Sequence, residues 1–131
     1  MLQRVFLAVV LMSAPAYSFA HSMDNGPHGG EVEDANPGPS LHIEATVKGT
    51  TLNVYLTDGD GKPIAASGVT GNAVVLAQKK KDAFDLAPVG SEMMTGTGSF
   101  AADPDMKALI SVTVSGVKQQ ALFSRLAEQK Q

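Results

Sequence analysis

The chain contains no cysteine and no tryptophan, and aromatic residues make up 5% of its 131 positions. Without cysteine there is no disulfide scaffold, no thiolate metal site and no thiol nucleophile. With so few aromatics, a core has to be built from Val, Leu, Ile, Ala and Phe. There is no excess of basic charge either: 10 Lys and Arg stand against 13 Asp and Glu, for a net −3. That balance excludes the cationic field that draws nucleic acid. No G-x-S-x-G elbow and no phosphate-cradling loop occurs. The DGDGKP stretch (Asp58–Pro63) lacks the later ligands of a calcium loop and reads as a turn. Histidine is absent from all of the chain except one region, where His21, His28 and His42 lie close together.

The first 20 residues have the make-up of a secretory signal. Arg4 supplies the positive start, and VFLAVVLM (Val5–Met12) is an apolar run too short to span a bilayer. Ser18 and Ala20 fit a small-x-small cleavage rule, which predicts a mature chain beginning at His21; Ala14 and Ala16 offer a second cleavage point that would leave Tyr17 first. An export signal with no later membrane segment implies a soluble periplasmic product. Removal of Arg4 makes its net charge one unit more negative.

The mature chain reads as strands and turns. Leu41–Val47 alternates, with Leu41, Ile43, Ala45 and Val47 on one face and His42, Glu44 and Thr46 on the other. Thr51–Thr57 and Lys107–Val114 alternate as well. NAVVLAQ, DAFDLAP, EMMTGTGSF and VKQQALFS are further short strand candidates between Gly, Pro and charged breaks. KKK (Lys79–Lys81) reads as a solvated hairpin loop. Seven to eight short strands at this spacing predict an all-β domain, an antiparallel, immunoglobulin-like β-sandwich, with a small β-barrel as the alternative. The expected organisation is a signal peptide over 1–20, a flexible metal-ligand arm over 21–30, the β domain over 31–124 and a tail over 125–131.

EVEDANPGPSLHIE (Glu31–Glu44) suggests a first hairpin turning at NPGP. That loop would pair Glu33 with His42, Val32 with Ile43 and Glu31 with Glu44. The pairing gathers Glu31, Glu33, His42 and Glu44 into one outward patch. It also sets Asp34 on the apolar face beside Leu41.

The residue types around the histidines are those of a metal site. His21 at a mature N-terminus would offer both its amine and its imidazole, donors suited to copper. Met23 adds a thioether and His28 a second imidazole, the mixture favoured by Cu(I) in a compartment without thiols. His42 and Glu44, at i and i+2 of one strand, project side by side and are ligand types for zinc or copper. Met93 and Met94 are consecutive in a strand candidate, so at least one belongs to the core. An N-terminal histidine also suits a copper oxygenase. A domain this small offers little platform for a substrate, and no enzyme activity is expected.

GPHGGEV, LHIEATV and LNVYLTDGDGKPI together resemble the small N-terminal domain of cobalt–zinc–cadmium-type efflux adaptor proteins and related stand-alone periplasmic proteins. The resemblance implies a β-sandwich tied to heavy-metal efflux or handling. His28 matches the family's histidine before two glycines, and Glu44 its strand glutamate. The adaptors' coiled-coil hairpin and lipoyl-like region have no counterpart here. The expected role is therefore a scavenger or carrier of copper or zinc that hands the ion to an efflux complex. The alternative is an interaction module that docks on such a complex and binds metal only incidentally.

Overall fold

The computed structural model describes residues 26–128. They form eight β-strands: β1 (Glu31–Asp34), β2 (Leu41–Lys48), β3 (Thr51–Asp58), β4 (Thr70–Ala77), β5 (Lys80–Val89), β6 (Met93–Thr97), β7 (Lys107–Val114) and β8 (Val117–Phe123). A 3₁₀ turn, Leu126–Glu128, comes after β8. Every pairing is antiparallel, and the order across the sheet is β1-β2-β3-β6-β5-β4-β7-β8. No helix among the described residues is long and apolar enough to cross a membrane.

The all-β expectation is met, and the ladder shows how the two expected architectures relate. β1-β2-β3-β6 and β4-β7-β8 form two curved halves. β5 belongs to both, pairing with β4 from Lys80 to Leu86 and with β6 from Ala87 to Val89. The result is a single sheet rolled nearly closed, with the walls of the roll facing each other as the layers of a sandwich do.

The alternation read in the sequence sets the inner face. Leu41, Ile43 and Ala45 of β2, Leu52, Val54 and Leu56 of β3, and Ala108, Ile110 and Val112 of β7 are all buried. Phe123, Met94 and Met106 supply the bulk that tryptophan gives other small β domains. Met94 is buried and Met93 is not, as consecutive strand residues require. The turn expected over Lys79–Lys81 lies one residue earlier, and Lys80 and Lys81 already belong to β5. Gln78-Lys79 and Ser115-Gly116 close two-residue hairpins with positive φ at both turn positions. The Asp58 carboxylate accepts from the N–H groups of Asp60 and Lys62, fixing DGDGKP as a turn.

The remaining gap in the roll, between β1 and β8, is closed by a few contacts. Asn36 and Gln120 exchange backbone hydrogen bonds of 2.9 and 2.7 Å. Glu31, with 0% of its surface exposed, accepts from the backbone N–H of Ser124 and of Arg125 and lies 3.4 Å from Arg125 Nε. Glu33 approaches Arg125 Nη2 at 3.7 Å. Burial raises the Glu33 pKa above the ordinary glutamate range, helped by a hydrogen bond to Glu31 and by the charges of Glu31 and Asp34, with Arg125 opposing. Within the segment expected as a tail, Arg125 is held at this seam and Leu126 is buried in the core.

Candidate functional site

The first hairpin has a register different from the expected one. Glu31 pairs with Ala45, Val32 with Glu44, Glu33 with Ile43 and Asp34 with His42. The cause lies in the turn. Asn36 is diverted to Gln120 of β8, so the loop is the five residues 36–40, closed by the Ala35 N–H donating to Leu41 O. One extra loop residue slips the pairing by one and exchanges the faces of β1. Glu31 and Glu33 turn inward to the seam. Val32 and Asp34 join His42 and Glu44 on the outer face. The outward patch of Glu31, Glu33, His42 and Glu44 does not form, and Asp34 is relieved of its place beside Leu41.

On that outer face Glu44 is covered, with its side chain 6% exposed. The segment Gly26–Gly30 wraps over it as a compact loop. Gly26 N–H donates to Gly30 O at 2.8 Å and Gly29 N–H to Gly26 O at 2.9 Å. The Glu44 carboxylate fills the inside of this loop. Its Oε2 accepts from the N–H groups of His28 (2.9 Å) and Gly30 (2.8 Å), and its Oε1 lies 2.7 Å from His28 Nδ1. Glycine is required here by space. A Cβ on Gly26 would strike the Glu44 carboxylate, and one on Gly30 the Ala45 carbonyl.

The bonding fixes the state of His28. A carboxylate only accepts, so Nδ1 carries the hydrogen, and in the neutral ring Nε2 keeps its lone pair. The ring is 42% exposed, and Nε2 makes no hydrogen bond among the described residues. One face of the imidazole lies on Tyr55 of β3, with centroids 3.6 Å apart and planes 6° apart. The Tyr55 hydroxyl donates to Met93 Sδ at 3.3 Å. His28 is thus held by its backbone, its Nδ1 and its ring face.

Beside it is a pocket of about 230 Å³. His28 and His42 both line it, and Pro27, Val32, Leu56 and Pro63 give it a mostly apolar wall. His42 Nε2 lies 3.0 Å from Asp34 Oδ1. The structure therefore brings together three of the five expected ligands, His28, His42 and Glu44. His21 and Met23 lie outside the described residues, as does the signal segment. Among the described residues no group of three or more His, Asp or Glu side chains is arranged to hold a metal ion.

Sequence reasoning passed over Tyr55, the stacking platform, and Asp34 as the partner of His42. Tyr55 had a signal: it is the aromatic on a strand face whose other members are Asn53, Thr51 and Thr57. No family model matches the chain, and no curated protein or solved structure matches it.

Proposed function

We propose that the protein is an exported metal-binding protein of the periplasm, a scavenger or carrier of copper or zinc serving heavy-metal resistance or efflux. The observation that carries this reading is His28 itself. Its Nδ1–H is anchored on a buried carboxylate, its ring is stacked, and its Nε2 lone pair is left over at the lip of a pocket shared with a second imidazole. A carboxylate behind an imidazole is the arrangement that fixes the tautomer of a metal-ligating histidine and strengthens it as a donor.

In this reading Glu44 orients the ligand and does not bind the ion, since both its oxygens already accept hydrogen bonds. His28 and His42 supply two nitrogen donors, too few for a closed zinc or copper site. The remaining donors come from the segment directly ahead of Gly26: the amine and ring of His21 and the thioether of Met23. The test is a titration of the mature protein with Cu(I), Cu(II) and Zn(II) under anaerobic and aerobic conditions. Saturable binding of one ion per chain, weakened at least tenfold by His28→Ala, is expected.

The second reading is the interaction module docking on an envelope efflux complex. It is favoured by the apolar wall of the same pocket. In that case the His28–Glu44 pair is a clasp for the N-terminal loop. The titration then shows no stoichiometric ion, and His28→Ala lowers thermal stability alone.

A further inference from the structure

The outer face of the sheet is divided. On β2, β3 and β6, apart from the His28–Tyr55–Met93 cluster, its positions are polar, among them Thr46, Asn53, Thr57 and Thr95, as alternation in a solvated sheet requires. On β5, β4, β7 and β8 the register aligns Ala83, Val74, Leu109 and Leu122 in one apolar row across four neighbouring strands. All four point away from the core, whose side is occupied by Val75, Ile110 and Ala121. Leu122 is 57% exposed, and Leu76, next to the row on β4, is 50% exposed. Single apolar residues on a surface are ordinary, but an aligned row is a contact face.

The rows on either side differ in charge. On one side the register sets Lys81, Leu76 and Lys107 beside one another, and on the other it sets Asp85 beside Asn72. Neither Lys81 nor Asp85 makes an ion pair among the described residues. Between Asn72, Val74, Ala83 and Asp85 lies a shallow depression of about 210 Å³, open because Ala83 is small.

From this pattern we infer that the β5-β4-β7-β8 face binds a second copy of the same chain. A two-fold axis lying in the contact plane and running across the strands maps each strand onto itself with its direction reversed. It lays apolar row on apolar row and sets the row that holds Lys81 against the row that holds Asp85. Lys81 of each copy then meets Asp85 of the other, twice over. Leu76 of each copy meets the Asn72 position of the other, at the edge of the depression, which receives it. A face that carries a projection, a matching recess and opposite charges at its two ends is self-complementary, the condition for an isologous contact. The packing is that of two aligned sheets about 10 Å apart.

Size sets the strength. Three rows about 7 Å apart across four strands about 4.8 Å apart give roughly 400 Å² per copy, about half of a standard interface, so the dimer is weak and transient. The contact lies on the opposite half of the roll from the histidine pocket and does not depend on metal binding.

Sedimentation velocity of the mature protein, from roughly 10 µM to 1 mM, reads the equilibrium. The expected result is a monomer at low concentration moving toward a dimer at high concentration, with Leu122→Lys weakening association at least tenfold. Lys81→Asp and Asp85→Lys each weaken it several-fold. The double variant restores it, because the pairing is reciprocal. All three positions are exposed, and thermal melts confirm that the variants fold. A monomer throughout the range overturns the inference, and so does a double variant no better than the singles. Parent protein that stays monomeric but sediments with phosphatidylglycerol vesicles, and loses this with Lys81→Asp, would make the face a lipid-binding one instead.

Discussion

Glu44→Gln separates the two jobs that the buried carboxylate performs. Three hydrogens point at it: two backbone N–H groups and the His28 Nδ1–H. Glutamine has the same shape and keeps one oxygen, which can go on accepting from both N–H groups at Oε2. Its NH₂ then takes the Oε1 position and has to donate to His28 Nδ1. The imidazole can receive that bond only as the other tautomer, with its hydrogen moved to Nε2. The loop stays closed, because both backbone N–H groups and the His28 ring keep a partner, and only the second amide hydrogen of the glutamine goes without one. The cost is the exchange of charge-assisted hydrogen bonds for neutral ones, about 1–2 kcal/mol for the group, or a Tm lower by roughly 4–8 °C for a domain of this size. At the lip of the pocket, however, a lone pair has become an N–H, and the ion loses its donor. Metal affinity should fall by about 10- to 100-fold, the usual effect of removing such a partner. Glu44→Ala, which leaves three donors facing a cavity, should cost about 3 kcal/mol or more. The assays are a competition titration with a chromophoric chelator and ¹⁵N spectra of the imidazole, which report the tautomer directly. A Glu44→Gln protein that shows the exchanged tautomer yet binds the ion as tightly as the parent refutes the reasoning.

Three other outcomes are expected. Glu33 has a raised pKa in the folded state, so the folded protein keeps a proton that the unfolded chain releases. Stability should therefore decrease as pH rises through the window just above the ordinary glutamate range, and urea midpoints for Glu33→Gln should lack that slope. Gly26→Ala should lower stability by about 1–3 kcal/mol through its collision with the Glu44 carboxylate, read as a drop in Tm. Intact-mass measurement of the exported protein should give a chain beginning at His21; a start at Tyr17 would remove the terminal amine from the proposed ligand set.

The strands and most turns are legible because each depends on neighbours in sequence. Alternation in Leu41–Val47 marks a buried face wherever the strand ends up, and Gln78-Lys79 turns in place. The register of the first hairpin is not legible in this way, because its loop length is decided from outside: Asn36 pairs with Gln120, far along the chain. A local warning exists, since the expected register leaves Asp34 beside Leu41. His28 and Glu44 can be named as candidates from residue type and resemblance. Their direct bond cannot, because it depends on Gly26–Gly30 folding back onto a strand whose register is itself set elsewhere. The chemical role of Glu44 changes for the same reason. A glutamate on an outer strand face reads as solvated until a loop is known to cover it.

The seam between β1 and β8 also has a kinetic side. Glu31 reaches the backbone of Ser124 and Arg125, partners 93 and 94 positions away. Closing a loop of that length costs on the order of 4 kcal/mol in chain entropy beyond a fixed term, and contacts of such separation form slowly. A chain delivered N-terminus first, from a ribosome or through a pore, has β1 in hand from the outset and nothing to lock it with. Until Arg125 emerges, Glu31 cannot be buried with its partners, and β1 and β2 form one open flank of the sheet. That flank carries Glu44 and the loop that holds His28. The strand bearing the pocket is made well before the residues that close the roll, 93 and 94 positions further along.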